Sequence, residues 1–151
     1  SILIASVKKR NEKFHDDSIE LSRMTQTGRH EAFSYAITLI EVPGGLASST
    51  SLSIERIYEV AVTVQQAFTL QIMSFEPYIE KAVQLSLQLR DVKRRHNIVS
   101  ADFHHLATAI QEGCEIFVTT DERHLLAEDV RDSLKGNISL VDPRSAMKLL
   151  K

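Results

Sequence analysis

The sequence predicts an α/β fold, a three-layer α/β/α sandwich around a mostly parallel central sheet. Two observations predict it. Short runs rich in β-formers alternate along the chain with segments of ten or more residues at helical apolar spacing, as in strands joined by helical crossovers. The run Ile116-Phe117-Val118 is apolar without alternation, as expected of a parallel strand covered on both faces. The 151 residues suit one domain spanning 1–151, and 43% hydrophobic with 25% charged content is ordinary for a globular chain.

Ser1 leads into Ile2-Leu3-Ile4-Ala5-Ser6-Val7, which suits either a strand or a helix capped by Ser1, before Lys8-Lys9-Arg10-Asn11 ends the run. Phe14, Ile19, Leu21 and Met24 mark a helix over 14–24, with Asp16, Asp17 and Glu20 as a solvated, dipole-compatible face. After Gly28, residues 32–37 read as a strand, and Thr38-Leu39-Ile40-Glu41-Val42 follows. Glu41 lies among apolar neighbours just beyond that strand. A buried unpaired charge is costly, so it is either a helix-face acid in water or a site residue. Pro43-Gly44-Gly45 is expected to interrupt the chain, and Ser48-Ser49-Thr50-Ser51 to form a polar connector.

Ile57, Ala61, Val64 and Phe68 set a helix over 54–68, and residues 69–73 alternate towards a strand. Glu76-Pro77 opens a helix running to about Arg95, whose basic end Lys93-Arg94-Arg95 suits the helix dipole. Ser100 is the expected N-cap of the next helix, with Phe103, Leu106, Ala107 and Ile110 on one face and Gly113 as its stop. The strand over 116–118 follows. His124-Leu125-Leu126 is expected in a short helix, residues 137–141 in a further strand, and residues 144–150 in a terminal helix.

The central stretch carries the chemistry. A helix of about 12 residues travels roughly 18 Å, and about five strand residues at roughly 3.3 Å each return a similar distance. Asp102, in the first turn of that helix, and Asp121, just past the strand, are therefore expected to end near each other. Ligands of α/β proteins bind at this edge of a parallel sheet. Each aspartate alone has a plain explanation, as a first-turn acid or the start of a turn; the pair at this spacing points to a site.

Bulk properties narrow the classes. The net charge of −2 argues against coating nucleic acid by bulk positive charge, though not against a local basic patch. The lone Cys114 rules out an intrachain disulfide framework and fits a reducing cytoplasm. No apolar stretch is long enough to span a bilayer, so no membrane is expected. Zinc spacings, a Gly-rich phosphate loop and a Gly-x-Ser-x-Gly elbow are all missing.

The block Ala101-Asp102-Phe103-His104-His105-Leu106-Ala107-Thr108-Ala109, then Gly113, then Phe117-Val118-Thr119-Thr120-Asp121, resembles the second half of a PIN domain. Thr38-Leu39-Ile40-Glu41-Val42 resembles that family's central acidic motif, and Ser1-Ile2-Leu3-Ile4 the residues after its opening Asp-x-Ser/Asn. The resemblance implies a metal-dependent nuclease, mostly acting on RNA, with VapC-like toxins among its members. Glu41, Asp102 and Asp121 would match three of the family's four acids and hold Mg²⁺ or Mn²⁺, with Ser1 and Thr119 supporting. Clustered carboxylates repel one another until a divalent cation neutralises them, and that cation makes a water acidic enough to attack a phosphodiester. Arg29, His30, Lys93, Arg94, Arg95 and Arg123 are candidates to hold RNA phosphates.

The family's first acid would lie two residues before Ser1, so residues upstream are expected to supply it with the first strand. If Ile2-Leu3-Ile4 is instead that strand, Ala5 stands where the acid belongs, and the chain is a non-catalytic module binding RNA or protein. A receiver-like domain also places acids at a sheet edge, but it needs a Lys at a later strand end that this chain lacks. A toxin of this type would bring an antitoxin-like partner and a homodimer.

Overall fold

The structure, a computed structural model, describes residues 13–74 and 76–151. Ser1 and the 2–7 run lie outside them. The described chain begins with helix α1 (His15–Gln26), strand β1 (Ala32–Tyr35), helices α2 (Thr38–Ser49) and α3 (Ile54–Ala67), and strand β2 (Leu70–Met73). Helices α4 (Glu76–Gln88), α5 (Arg90–Arg95) and α6 (Ser100–Gln111) lead to strand β3 (Ile116–Val118). Helix α7 (Glu128–Leu134), strand β4 (Ser139–Val141) and helix α8 (Pro143–Leu149) complete it.

The strands form two parallel pairs. In one, Ala32 to Tyr35 of β1 stand beside Leu70 to Met73 of β2. In the other, Ile116 to Val118 of β3 stand beside Ser139 to Val141 of β4. Each crossover is helical, as parallel pairing requires. Successive side chains of a strand point to opposite faces, and β3–β4 is covered on both. Phe117 and Leu140 pack with Leu85, Phe103, Leu106 and Leu134, whereas Ile116, Val118 and Val141 pack with Leu21, Leu46, Val64 and Ala146. No helix among the described residues is long and apolar enough to cross a membrane.

Several local expectations are corrected. Pro43-Gly44-Gly45 does not interrupt the chain: α2 runs through all three residues to Ser49, absorbing half of the expected polar connector. Proline inside a helix removes one backbone hydrogen bond and costs about 3 kcal/mol. Here Val42 and Leu46 are buried against Ile57 and Val64 of α3, and that packing overrides the local signal. The helix expected to run from Glu76 to Arg95 is two helices, broken at Leu89, whose φ of −101° and ψ of 26° leave the helical region.

Ser100 is the first helical residue of α6 and not its cap. Val99 holds the N-cap position, and Asp102 Oδ2 accepts the Val99 backbone N–H at 3.2 Å. The segment 124–126 is a turn rather than a helix, and the helix lies further on, at α7. Asp17 is not a solvated acid either. It accepts from Arg144 at 3.2 Å, with its side chain 15% exposed, and ties α1 to α8.

The far end of α6 follows expectation. Gly113 has φ +70°, its N–H donates to Ile110 O, and the Cys114 N–H donates to Ala109 O. That pair of bonds is a Schellman stop, which turns the chain sharply into β3.

Candidate metal centre

Three segments carry the three acids. Tyr35 ends β1, and the Ser34 and Thr38 hydroxyls, 2.6 Å apart, link that strand to the start of α2. Glu41 then falls in the first turn of α2, so it is a helix residue rather than one directly past a strand. Asp102 stands in the first turn of α6. Asp121 follows β3, after Thr119 has extended the β3–β4 ladder by donating its N–H to Val141 O at 3.0 Å.

Each carboxylate is held. The Asp121 N–H donates to the buried Thr119 hydroxyl at 3.2 Å, which fixes the backbone of the turn. Asp121 Oδ1 accepts the His124 N–H at 3.1 Å, and Oδ2 accepts from His124 Nδ1 at 2.9 Å. Glu41 Oε2 accepts from His105 Nε2 at 3.0 Å, a bond that joins α2 to α6. Tyr35 packs flat on His104, with centroids 5.3 Å apart, and edge-on to His105 at 5.8 Å. The C-terminal end of β1 thus rests against the first turns of α6.

Asp102 feels both other acids. Burial pushes the Asp102 carboxyl above the usual carboxylate range; the Val99 N–H and His105 oppose the rise, and the negative charges of Asp121 and Glu41 add to it. Glu41 is shifted the other way. Its hydrogen bond from His105 lowers it, against a smaller opposing effect of burial.

The donor chemistry fits a hard divalent cation, since the converging groups are oxygen donors whose repulsion such an ion relieves. It does not fit a closed protein cage: among the described residues, no three His, Cys, Asp or Glu side chains stand close enough to enclose an ion. Mg²⁺ needs only one or two carboxylates and keeps several waters.

A family model described as PIN domain matches residues 1–129, the stretch that contains all three acids. The chain belongs to the PIN domain family. PIN domains are generally metal-dependent nucleases, so the family's chemistry is of nuclease type. No curated protein and no solved structure matches the chain. β4 and α8 lie past the matched stretch, yet Val141 and Ala146 belong to the same core as Leu46 and Val64.

The basic candidates divide. Arg29, Arg94 and Arg123 are exposed, and Arg123 stands two residues after Asp121. Arg95 is paired with Asp129 at 2.8 Å. Lys93 donates to Ser86 Oγ at 2.9 Å and lies over the Phe103 ring, while His30 is bonded to Leu150 O at 3.0 Å. These three already have partners within the chain.

Sequence reasoning missed His105 and His124 as partners of the acids. A signal was present: both follow an aspartate by three residues, Asp102-x-x-His105 and Asp121-x-x-His124. On a helix that spacing puts the two side chains on one face.

Proposed function

We propose that this PIN domain is a metal-dependent endoribonuclease that hydrolyses RNA phosphodiester bonds. The observation that carries the reading is that Asp102, in the first turn of α6, feels the negative charges of Asp121 and Glu41, which come from two other segments of the PIN domain. Mg²⁺ or Mn²⁺, when bound, supplies charge neutralisation at the phosphate and acidifies a water for attack. The chain's own residues prepare that place. Thr119 and His124 hold Asp121, His105 holds Glu41, and the Val99 amide holds Asp102. Ser1 is proposed to support the same centre. Arg29, Arg94 and Arg123 are proposed to take phosphates, with Arg123 nearest in sequence to an acid.

The reading extends to a three-layer α/β/α sandwich, a cytoplasmic setting and the toxin of a toxin–antitoxin pair. Exposed Leu39, Tyr58 and Val62, which line one surface between α2 and α3, support an antitoxin-like or homodimeric partner, because apolar surface in one patch favours association. The alternative is a non-catalytic module binding RNA or protein. Its support is that both Asp121 oxygens are already engaged by His124 and that no three-ligand cage exists among the described residues.

RNA cleavage by the full chain separates the two. Cleavage that needs Mn²⁺ or Mg²⁺, stops with a chelator and is lost in Asp102→Asn and Asp121→Asn supports the nuclease. RNA binding without cleavage at saturating metal supports the module.

A further inference from the structure

We propose that the outer face of α4 is a self-association surface, on which α4 of one copy of this chain packs antiparallel on α4 of a second copy about a two-fold axis at Val83. α4 carries apolar residues on two sides. Tyr78, Ala82 and Leu85 are buried, and Leu85 belongs to the core with Phe103 and Leu106 of α6. Ile79, Val83 and Leu87, by contrast, are 45%, 52% and 56% exposed. Their spacing of four residues sets them along one side of the helix, turned away from that core. A helix apolar on both sides is normally covered on both.

The residues on the exposed side say what covers it. They run Glu76, Ile79, Val83, Leu87 and Arg90, at intervals of three, four, four and three, so the spacing is the same in either direction from Val83. The Leu89 N–H still donates to Leu85 O at 2.9 Å and the Lys93 N–H to Leu89 O at 2.8 Å. Helical bonding thus carries across the break, and Arg90 stays about one turn beyond Leu87. Turning a second α4 about Val83 sets Ile79 against the second copy's Leu87, and Glu76 against the second copy's Arg90. Each pairing occurs twice, as an isologous contact requires. Glu76 and Arg90 are exposed, and neither has an ion-pair partner among the described residues. A parallel arrangement would bring like charges together at both ends, so charge selects the antiparallel one. Three apolar side chains per copy fall short of the roughly 800 Å² per partner of a stable interface, so the pair should exchange with monomer. The surface uses other elements than the α2–α3 patch, and the inference does not rest on the nuclease reading.

Sedimentation equilibrium of the full chain at low ionic strength, over a range of concentrations, tests this. The expected result is a monomer–dimer equilibrium that Val83→Glu abolishes, because two like charges would then meet on the axis. Val83 is half exposed, so that variant should keep the wild-type circular-dichroism spectrum. Glu76→Arg and Arg90→Glu should each weaken the dimer roughly three- to tenfold. Combining the two should return it to within about threefold of wild type, since opposite charges again face each other. That recovery separates a paired contact from general damage to the helix. A wild type that is monomeric at every concentration, a dimer that survives Val83→Glu, or no recovery in the double variant overturns the proposal. A dimer that survives Val83→Glu would place self-association on another surface.

Discussion

α2 and α6 each deliver one acid from a first turn, yet they are built in opposite ways. α6 is specified locally at both ends, by the Asp102 bond to the Val99 N–H and by the Gly113 stop. α2 carries Pro43, Gly44 and Gly45 in its interior and has no side-chain cap; Ile37 stands at its N-cap position. Its helix survives because Val42 and Leu46 are buried against α3 and α8. The lesson is that Glu41 is placed by tertiary packing and Asp102 by its own sequence. Disturbing the core should therefore loosen one proposed metal ligand before the other.

The sharpest way to break the contrast is Leu46→Ala, which empties a position only 1% exposed. It is expected to cost about 2–5 kcal/mol in urea unfolding and to weaken Mn²⁺ binding through Glu41. Leu106→Ala, equally buried, should cost a similar amount while leaving Glu41 in place. Equal losses of metal affinity in the two variants would remove the distinction. Pro43→Ala acts in the opposite direction. It restores an N–H that can donate to Leu39 O and should stabilise the fold by about 1–3 kcal/mol, read from the same denaturation curves. No gain would mean that α2 already accommodates the proline without strain.

At α6 the expected effects are smaller. Gly113→Ala meets open space but must hold φ +70°, so it should destabilise by about 1 kcal/mol. Asp102→Asn keeps an acceptor for the Val99 N–H while removing the charge. Burial, with Asp121 and Glu41 adding, raises the folded pKa of Asp102 above its unfolded value. Its stabilising contribution is thus present at low pH and lost as pH rises through the folded pKa. The variant should melt slightly higher than wild type at neutral pH without metal and equally at acid pH. A lower melting temperature at neutral pH would contradict that sign.

The same contrast explains what was legible in the sequence. The helix–turn–strand from Ser100 to Val118 could be read because spacing, stop and β-rich run are local signals. So could the approach of Asp102 to Asp121, which follows from element lengths alone. α2 could not be read, since Pro-Gly-Gly is a breaking signal and only burial in three dimensions reverses it. The break at Leu89 has no proline or glycine to announce it, and Leu89 is apolar and buried like Leu85 one turn before it. Glu41 stands out by its apolar neighbours and by family resemblance, and its helical setting is one of the two alternatives the sequence leaves open. The role of His105 is not legible locally, because its partner Glu41 lies 64 residues away.

Calorimetric titration of Mn²⁺ into the full chain tests the central claim most directly. One saturable site in the wild type, weakened or lost in each of Glu41→Gln, Asp102→Asn and Asp121→Asn, is the predicted result. No saturable binding, or binding that survives all three substitutions unchanged, would contradict a metal centre built on these acids.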